Sequence, residues 1–159
     1  MTDPTTTDRT AVLDRYAWGA AAVADAVAGA TDADLDRRPP SGAWTAREIV
    51  HHVADSESMA YIRLRRLIAE DDPVIHGYDE PTWARRLHYD RPIESALATA
   101  HAVRAGSLSL MRSLTPEEWG RTGTHSESGA YSVEGWLAIY AEHSHEHADQ
   151  IRRALRGED

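Results

Sequence analysis

A chain of 159 residues has room for one domain with a real core, but not for two of comfortable size. Its formal charge of −9 excludes a general nucleic-acid binder, whose affinity would come from clustered positive charge. With no cysteine there is no disulfide framework, thiolate metal site or cysteine nucleophile, so any metal must sit on His, Asp or Glu.

The opening stretch MTDPTTTDRTAVLD lacks the basic and apolar regions of a signal peptide. No apolar run approaches membrane-spanning length, so the expectation is a cytoplasmic protein with no membrane partner. Residues 8–30 are alanine-rich, with apolar positions recurring at three and four, which predicts a first amphipathic helix. Pro39, Pro40, Ser41 and Gly42 then mark a loop. Thr45 followed by Glu48 forms a capping box, opening a second helix that runs to about Glu70.

Two prolines and a glycine in DDPVIHGYDEPTW break the pattern, after which Pro81 to His88 forms a short connecting helix. Helical spacing returns from Pro92 to Leu114 despite Gly106, which costs about 1 kcal/mol against Ala in a helix interior. Thr115, Pro116 and Glu118 read as cap, first helical position and capping partner of a brief helical turn. RTGTHSESGAYS is a polar loop with at most a short strand-like passage. Ser132 caps a fourth long helix and Gly157 fits the residue just past its end. No alternating run is long enough for a sheet, and the sum is an all-α four-helix bundle with long, partly structured connecting loops.

On the fourth helix, at about 100° per residue, Val133, Leu137, Tyr140, Ala141, Ala148, Ile151 and Leu155 share one side. His143 and His147 fall together on its flank, while His145 lies on the far side and should face solvent. On the second helix His52 borders the stripe of Ile49, Val53, Ala60, Leu64 and Leu67, and His51 points nearly opposite. If the two helices are neighbours, His52, His143 and His147 converge on one divalent cation, the open three-imidazole set of catalytic Zn²⁺, which also suits Ni²⁺ or Fe²⁺. Against this, HxxxH pairs occur by chance, and this one lacks the Glu that makes a zincin motif. His76, His88, His101 and His125 carry no assignment to the metal. All 17 basic residues are arginine, and the groups Arg63/Arg65/Arg66, Arg85/Arg86 and Arg152/Arg153/Arg156 are either solvated helix faces or a site for an anionic substrate.

Four separated segments, WTAREIVHHVADSESMAYIRLR, YDEPTWA, SLTPEEWGRTGTHSESG and YAEHSHEHADQI, resemble the DinB/YfiT-like superfamily, and its YfiT branch of metal-dependent hydrolases most. The resemblance spans about residues 35–156 of a single 1–159 domain. It implies a four-helix bundle, often a homodimer, with one divalent metal ion per chain, zinc or nickel with iron or manganese as further options. It places the first ligand on His52 and the late HxxxH on His143 and His147. The branch often has a His-Met pair after ADS, where this chain has Glu57 and Ser58, a departure that leaves the three ligands intact and alters the pocket.

Gln150, Asp55 and Glu57 are candidates to partner the ligating imidazoles. Metal-dependent hydrolysis of a small-molecule substrate is the first functional reading, with Glu57, Asp55 or a loop residue such as His125 as general base. A second is transfer of a low-molecular-weight thiol cosubstrate (bacillithiol, mycothiol or glutathione type) to an electrophile, with arginines steering the thiol's carboxylates. A third is a metal-binding protein without catalysis.

Overall fold

The computed structural model describes the backbone of residues 4–159 and the side chains from Arg9 onward; residues 1–3 of the expected domain lie outside the described residues. Its helices are α1 (Pro4–Ala17), α2 (Gly19–Val27), α3 (Asp32–Leu35), α4 (Ala46–Ala69), α5 (Glu80–Arg86), α6 (Glu94–Met111), α7 (Pro116–Trp119) and α8 (Val133–Leu155). Three short strands are β1 (Val74–Ile75), β2 (Thr122–His125) and β3 (Gly129–Ser132).

The caps fall where the sequence puts them. Thr45 and Thr115 each accept from the backbone N–H three residues on, while Glu48 and Glu118 reach back to complete both boxes. Ser132 Oγ accepts from the Gly135 N–H at the start of α8, and Gly157, with φ +72°, ends that helix in the left-handed region. Thr31 and Asp34 add a third capping box on α3, absent from the sequence reading.

Two expectations need correction. The first helix is not continuous: it breaks at Trp18 into α1 and α2. The buried Arg104 guanidinium donates to the Tyr16 carbonyl at 2.6 Å and lies so close to Gly19 that a Cβ there would collide with it. A foreign donor on a helix carbonyl interrupts the ladder at that turn. There is also a sheet: β2 and β3 form an antiparallel hairpin, and β1 adds in parallel to β2. These strands are too short and too polar to show alternation, and pairing with a segment some fifty residues away is invisible to local pattern.

The α1/α2 pair and α4 stand on opposite corners of the bundle, and both pack against α6 and α8. The second and fourth predicted helices are therefore neighbours. Two apolar clusters fill the interior. One, around Val23, Ile49, Val53, Ile93, Ala100 and Ile151, occupies one end. The other, around Tyr16, Leu64, Leu67, Met111, Trp119 and Trp136, lies at the end covered by the sheet. About one helical turn of buried polar residues separates them: Ser56 and Glu57 on α4, Arg104 and Ser107 on α6, and Ser144 on α8. Among the described residues no helix is long and apolar enough to cross a membrane.

Candidate metal centre

His52 sits in the second turn of α4, while His143 and His147 lie one turn apart on the facing side of α8. Each offers a ring nitrogen, and the three nitrogens lie within 4.8 Å of one another. The ring centroids are 5.9 Å apart for His52 and His143, 4.7 Å for His52 and His147, and 4.5 Å for His143 and His147. Trp44 packs on His52 at 4.9 Å and helps to leave it only 2% exposed.

Burial pushes His52 down to about 3, helped by the nearby charges of His147 and His143. It brings His147 down to about 4 despite a hydrogen bond that favours its charged form. Both rings are therefore neutral at pH 7, the state in which imidazole has a lone pair to offer.

The protein holds Nδ1 of two of the three rings. His147 Nδ1 donates to Gln150 Oε1 at 2.8 Å, which places the proton on Nδ1 and leaves Nε2 as the lone-pair nitrogen. His143 Nδ1 faces Glu57 Oε1 at 3.3 Å, with Nε2 3.3 Å from Ser56 Oγ. His52 Nδ1 is buried with no partner among the described residues.

Glu57 is the hub of the polar layer. Its Oε1 accepts from Arg104 NH1 at 2.7 Å and Ser144 Oγ at 2.9 Å as well as facing His143. Burial opposes its ionisation, yet the His143 contact, the Arg104 charge and the Ser144 hydroxyl outweigh it and hold the carboxyl below its ordinary value. Arg104 in turn donates to Ser144 Oγ, to the Tyr140 carbonyl and to the Tyr16 carbonyl, and its guanidinium carbon lies 3.9 Å from the Tyr16 ring centroid.

The remaining expected residues are scattered. Asp55 accepts from the Tyr89 hydroxyl at 2.7 Å, in a second cluster where Tyr89 stacks on His51. His51 does not face solvent: it is 1% exposed, with Nε2 donating to the Arg91 carbonyl, because the residue 87–93 connection covers that face of α4. His145 is half-buried, with Nε2 donating to the carbonyl of Arg15, so the far side of α8 is covered by α1 there. His125 is on β2, at the edge of a cleft of about 230 Å³ that opens beside the histidines and that Ser56, Arg63, Tyr78, Tyr140 and His143 also line. Burial lowers His125, and its Nδ1 accepts from the Glu127 N–H, which leaves Nε2 as the protonated nitrogen of the neutral ring.

Sequence reasoning missed Arg104, although the signal is present. It follows Ala96 and Ala100 and precedes Ser107 and Met111 at core spacing, a lone charge in the buried stripe of α6.

The family model described as the DinB superfamily matches residues 15–151. A protein of Oceanobacillus iheyensis named "Putative metal-dependent hydrolase" is 42% identical over 125 residues, 79% of this chain and 73% of that one. Another with the same designation, YfiT from Bacillus subtilis, is 33% identical over 128 residues, 79% of this chain and 72% of its own. A solved structure of Bacillus subtilis YfiT, described as "a probable metal-dependent hydrolase with an unusual four-helix bundle topology", matches with a TM-score of 0.87 at 28% identity. That match covers 98% of this chain and 89% of the other.

Proposed function

The chain belongs to the DinB superfamily, and from that premise we propose that it is a metal-dependent hydrolase whose divalent cation is held by His52, His143 and His147. The observation that carries this reading is the convergence of three imidazoles, on two rigid helices, beside an open cleft.

The donor set fits a borderline cation such as Zn²⁺ or Ni²⁺. His52 Nδ1 is buried without a partner among the described residues, a loss of about 1–3 kcal/mol that coordination through this nitrogen would relieve. His52, His143 and His147 would hold such a cation through three nitrogens that lie within 4.8 Å of one another. A divalent cation held by three neutral ligands keeps its charge, lowers the pKa of a water it binds and polarises a carbonyl.

The protein's own groups do the positioning. Glu57 keeps a proton on His143 Nδ1, Gln150 keeps one on His147 Nδ1, and both rings thereby turn a lone pair inward. Through Oε1 alone Glu57 meets Arg104, Ser144 and His143 and so orients His143, while its Oε2, buried without a partner among the described residues, keeps a free acceptor for the general-base role. Asp55, tied to Tyr89, has no part in it. His125 presents a neutral ring protonated on Nε2 and serves as a hydrogen-bond donor at the cleft.

The test is turnover of a panel of esters and amides by zinc- or nickel-loaded protein, with and without an added thiol, beside His143→Ala. Thiol-independent turnover that needs metal and His143 supports the hydrolase. Turnover only with thiol moves the same centre to S-transfer, and stoichiometric metal without any turnover contradicts both.

A further inference from the structure

The cleft beside the three histidines carries an arginine with unfinished business. Arg63 lies eleven residues after His52 and seven after Ser56, three and two turns along the same face of α4. Its NH2 donates to the His76 carbonyl at 2.7 Å and its NH1 to the Tyr140 hydroxyl at 3.2 Å. Those bonds fix the guanidinium in the cleft and leave N–H donors over. Among the described residues seven arginines have no carboxylate within ion-pair distance; of these only Arg63 and Arg65 are partly shielded from solvent, and of the two only Arg63 lines the cleft.

Among the described residues two donors at this spot are buried without an acceptor in good geometry: Arg63 Nε and the hydroxyl of Tyr78, whose near neighbour Ser56 makes at most a marginal contact with it. The Tyr78 ring is 6.0 Å from the guanidinium carbon. A buried donor without acceptor is costly, and a carboxylate, with two oxygens and no protons, answers both. The positive field of Arg63 reaches Tyr78, Tyr131, Tyr140 and His125, opposing the rise that burial causes in the three tyrosines and adding to the fall of His125. Two acids, Glu80 and Glu127, also line the cleft, but both are exposed, and Glu127 lies against the backbone of Gly77.

Resting on the proposed metal centre, we infer that the cleft takes a small carboxylic acid, whose carboxylate docks on Arg63 and Tyr78 while its reacting group lies toward His143. Tyr140 stands between the two ends, bonded to Arg63 on one side and with its ring 5.5 Å from that of His143 on the other. The carboxylate and the reacting group are therefore separated by a spacer. The cleft volume of about 230 Å³ lies below the roughly 300–1,000 Å³ of drug-sized pockets, so the acid-bearing group that enters it is small.

The probe is butyrate, compared with butyramide and butylammonium at constant ionic strength. The readout is the ¹⁵N–¹H resonance of Arg63 Nε, assigned by its loss in Arg63→Gln and recorded on metal-free and zinc-loaded protein. A saturable shift with butyrate about tenfold tighter than with butyramide, weakened in Tyr78→Phe, is expected for a charge-assisted bond. Equal responses to butyrate and butyramide, or a response to butylammonium alone, overturn the inference. The comparison of probes on the wild type decides it even if Arg63→Gln folds poorly, and Arg63→Lys then serves for assignment. Protein that takes up no zinc yet selects butyrate supports the carboxylate site and refutes the metal centre. Protein that takes up zinc and ignores the charge of the probe refutes the carboxylate site alone.

Discussion

Replacing Arg104 with methionine keeps a long flexible side chain in the bundle and strands what the guanidinium now satisfies. Glu57, 1% exposed, would face the interior without its cation, and the Tyr16 carbonyl would lose its donor at the α1/α2 break. Removing one partner of a buried ion pair typically costs about 3–5 kcal/mol, because the charge left behind is uncompensated. Both members are almost fully buried, so solvent gives no relief, and we expect a loss of about 4 kcal/mol in that range. For a chain of this length that is a fall of about 8–16 °C in Tm.

Adding Glu57→Gln to Arg104→Met removes the stranded charge and should restore roughly 1–2 kcal/mol, a coupling expected of groups in direct contact. The assay is urea unfolding of metal-free protein followed by far-UV circular dichroism, so that bound metal does not shift the equilibrium. A loss of less than about 1 kcal/mol in the single variant, or no recovery in the double variant, would refute the reasoning that the polar layer is held together by this pair.

Three further outcomes follow from the same geometry. Gly19→Ala places a Cβ against the Arg104 guanidinium and should cost about 1–3 kcal/mol by overpacking; in an Arg104→Met background most of that penalty disappears, as thermal melts will show. Gln150→Leu leaves His147 Nδ1–H without an acceptor and should weaken metal binding about 10–100-fold with Tm of the metal-free protein little changed, measured by competition with a chelator. Hydrogen bonding to Arg47 holds the Asp36 carboxyl below its ordinary value of 3.8, so its contribution to stability is present above that value and lost as pH falls through the folded-state value. Asp36→Asn should accordingly be less stable than wild type at pH 7, with the two unfolding curves converging in strong acid; a gap that persists there would contradict the assignment.

Much of the bundle is written locally. The boxes at Thr45 and Thr115, the Ser132 cap and the glycine after α8 are short-range chemistry, and the apolar stripes of α4 and α8 place His52, His143 and His147 on facing flanks. What local pattern could not supply is what comes from elsewhere in the chain. Arg104 interrupts the first helix from α6, the parallel pairing of β1 with β2 joins residues 74–75 to 124–125, and the 87–93 connection buries His51. A helical wheel assumes one buried face. Helix α4 is buried on several, so His51 is inside although it lies opposite the main stripe, whereas Glu57, four residues after Val53 and three before Ala60, continues that stripe as a buried charge. The partners of Glu57 were hidden because they lie on α6 and α8, where no pattern local to α4 reaches.

The central claim is tested most directly by elemental mass spectrometry on untagged protein, wild type beside His52→Ala, His143→Ala, His147→Ala and His101→Ala. His101 is exposed on α6 and serves as the control, in place of the buried His51. The account predicts near-stoichiometric divalent metal in wild type and His101→Ala, and its loss in each of the other three. Wild type that is empty and takes up neither zinc nor nickel, or metal retained in all three variants, would contradict it.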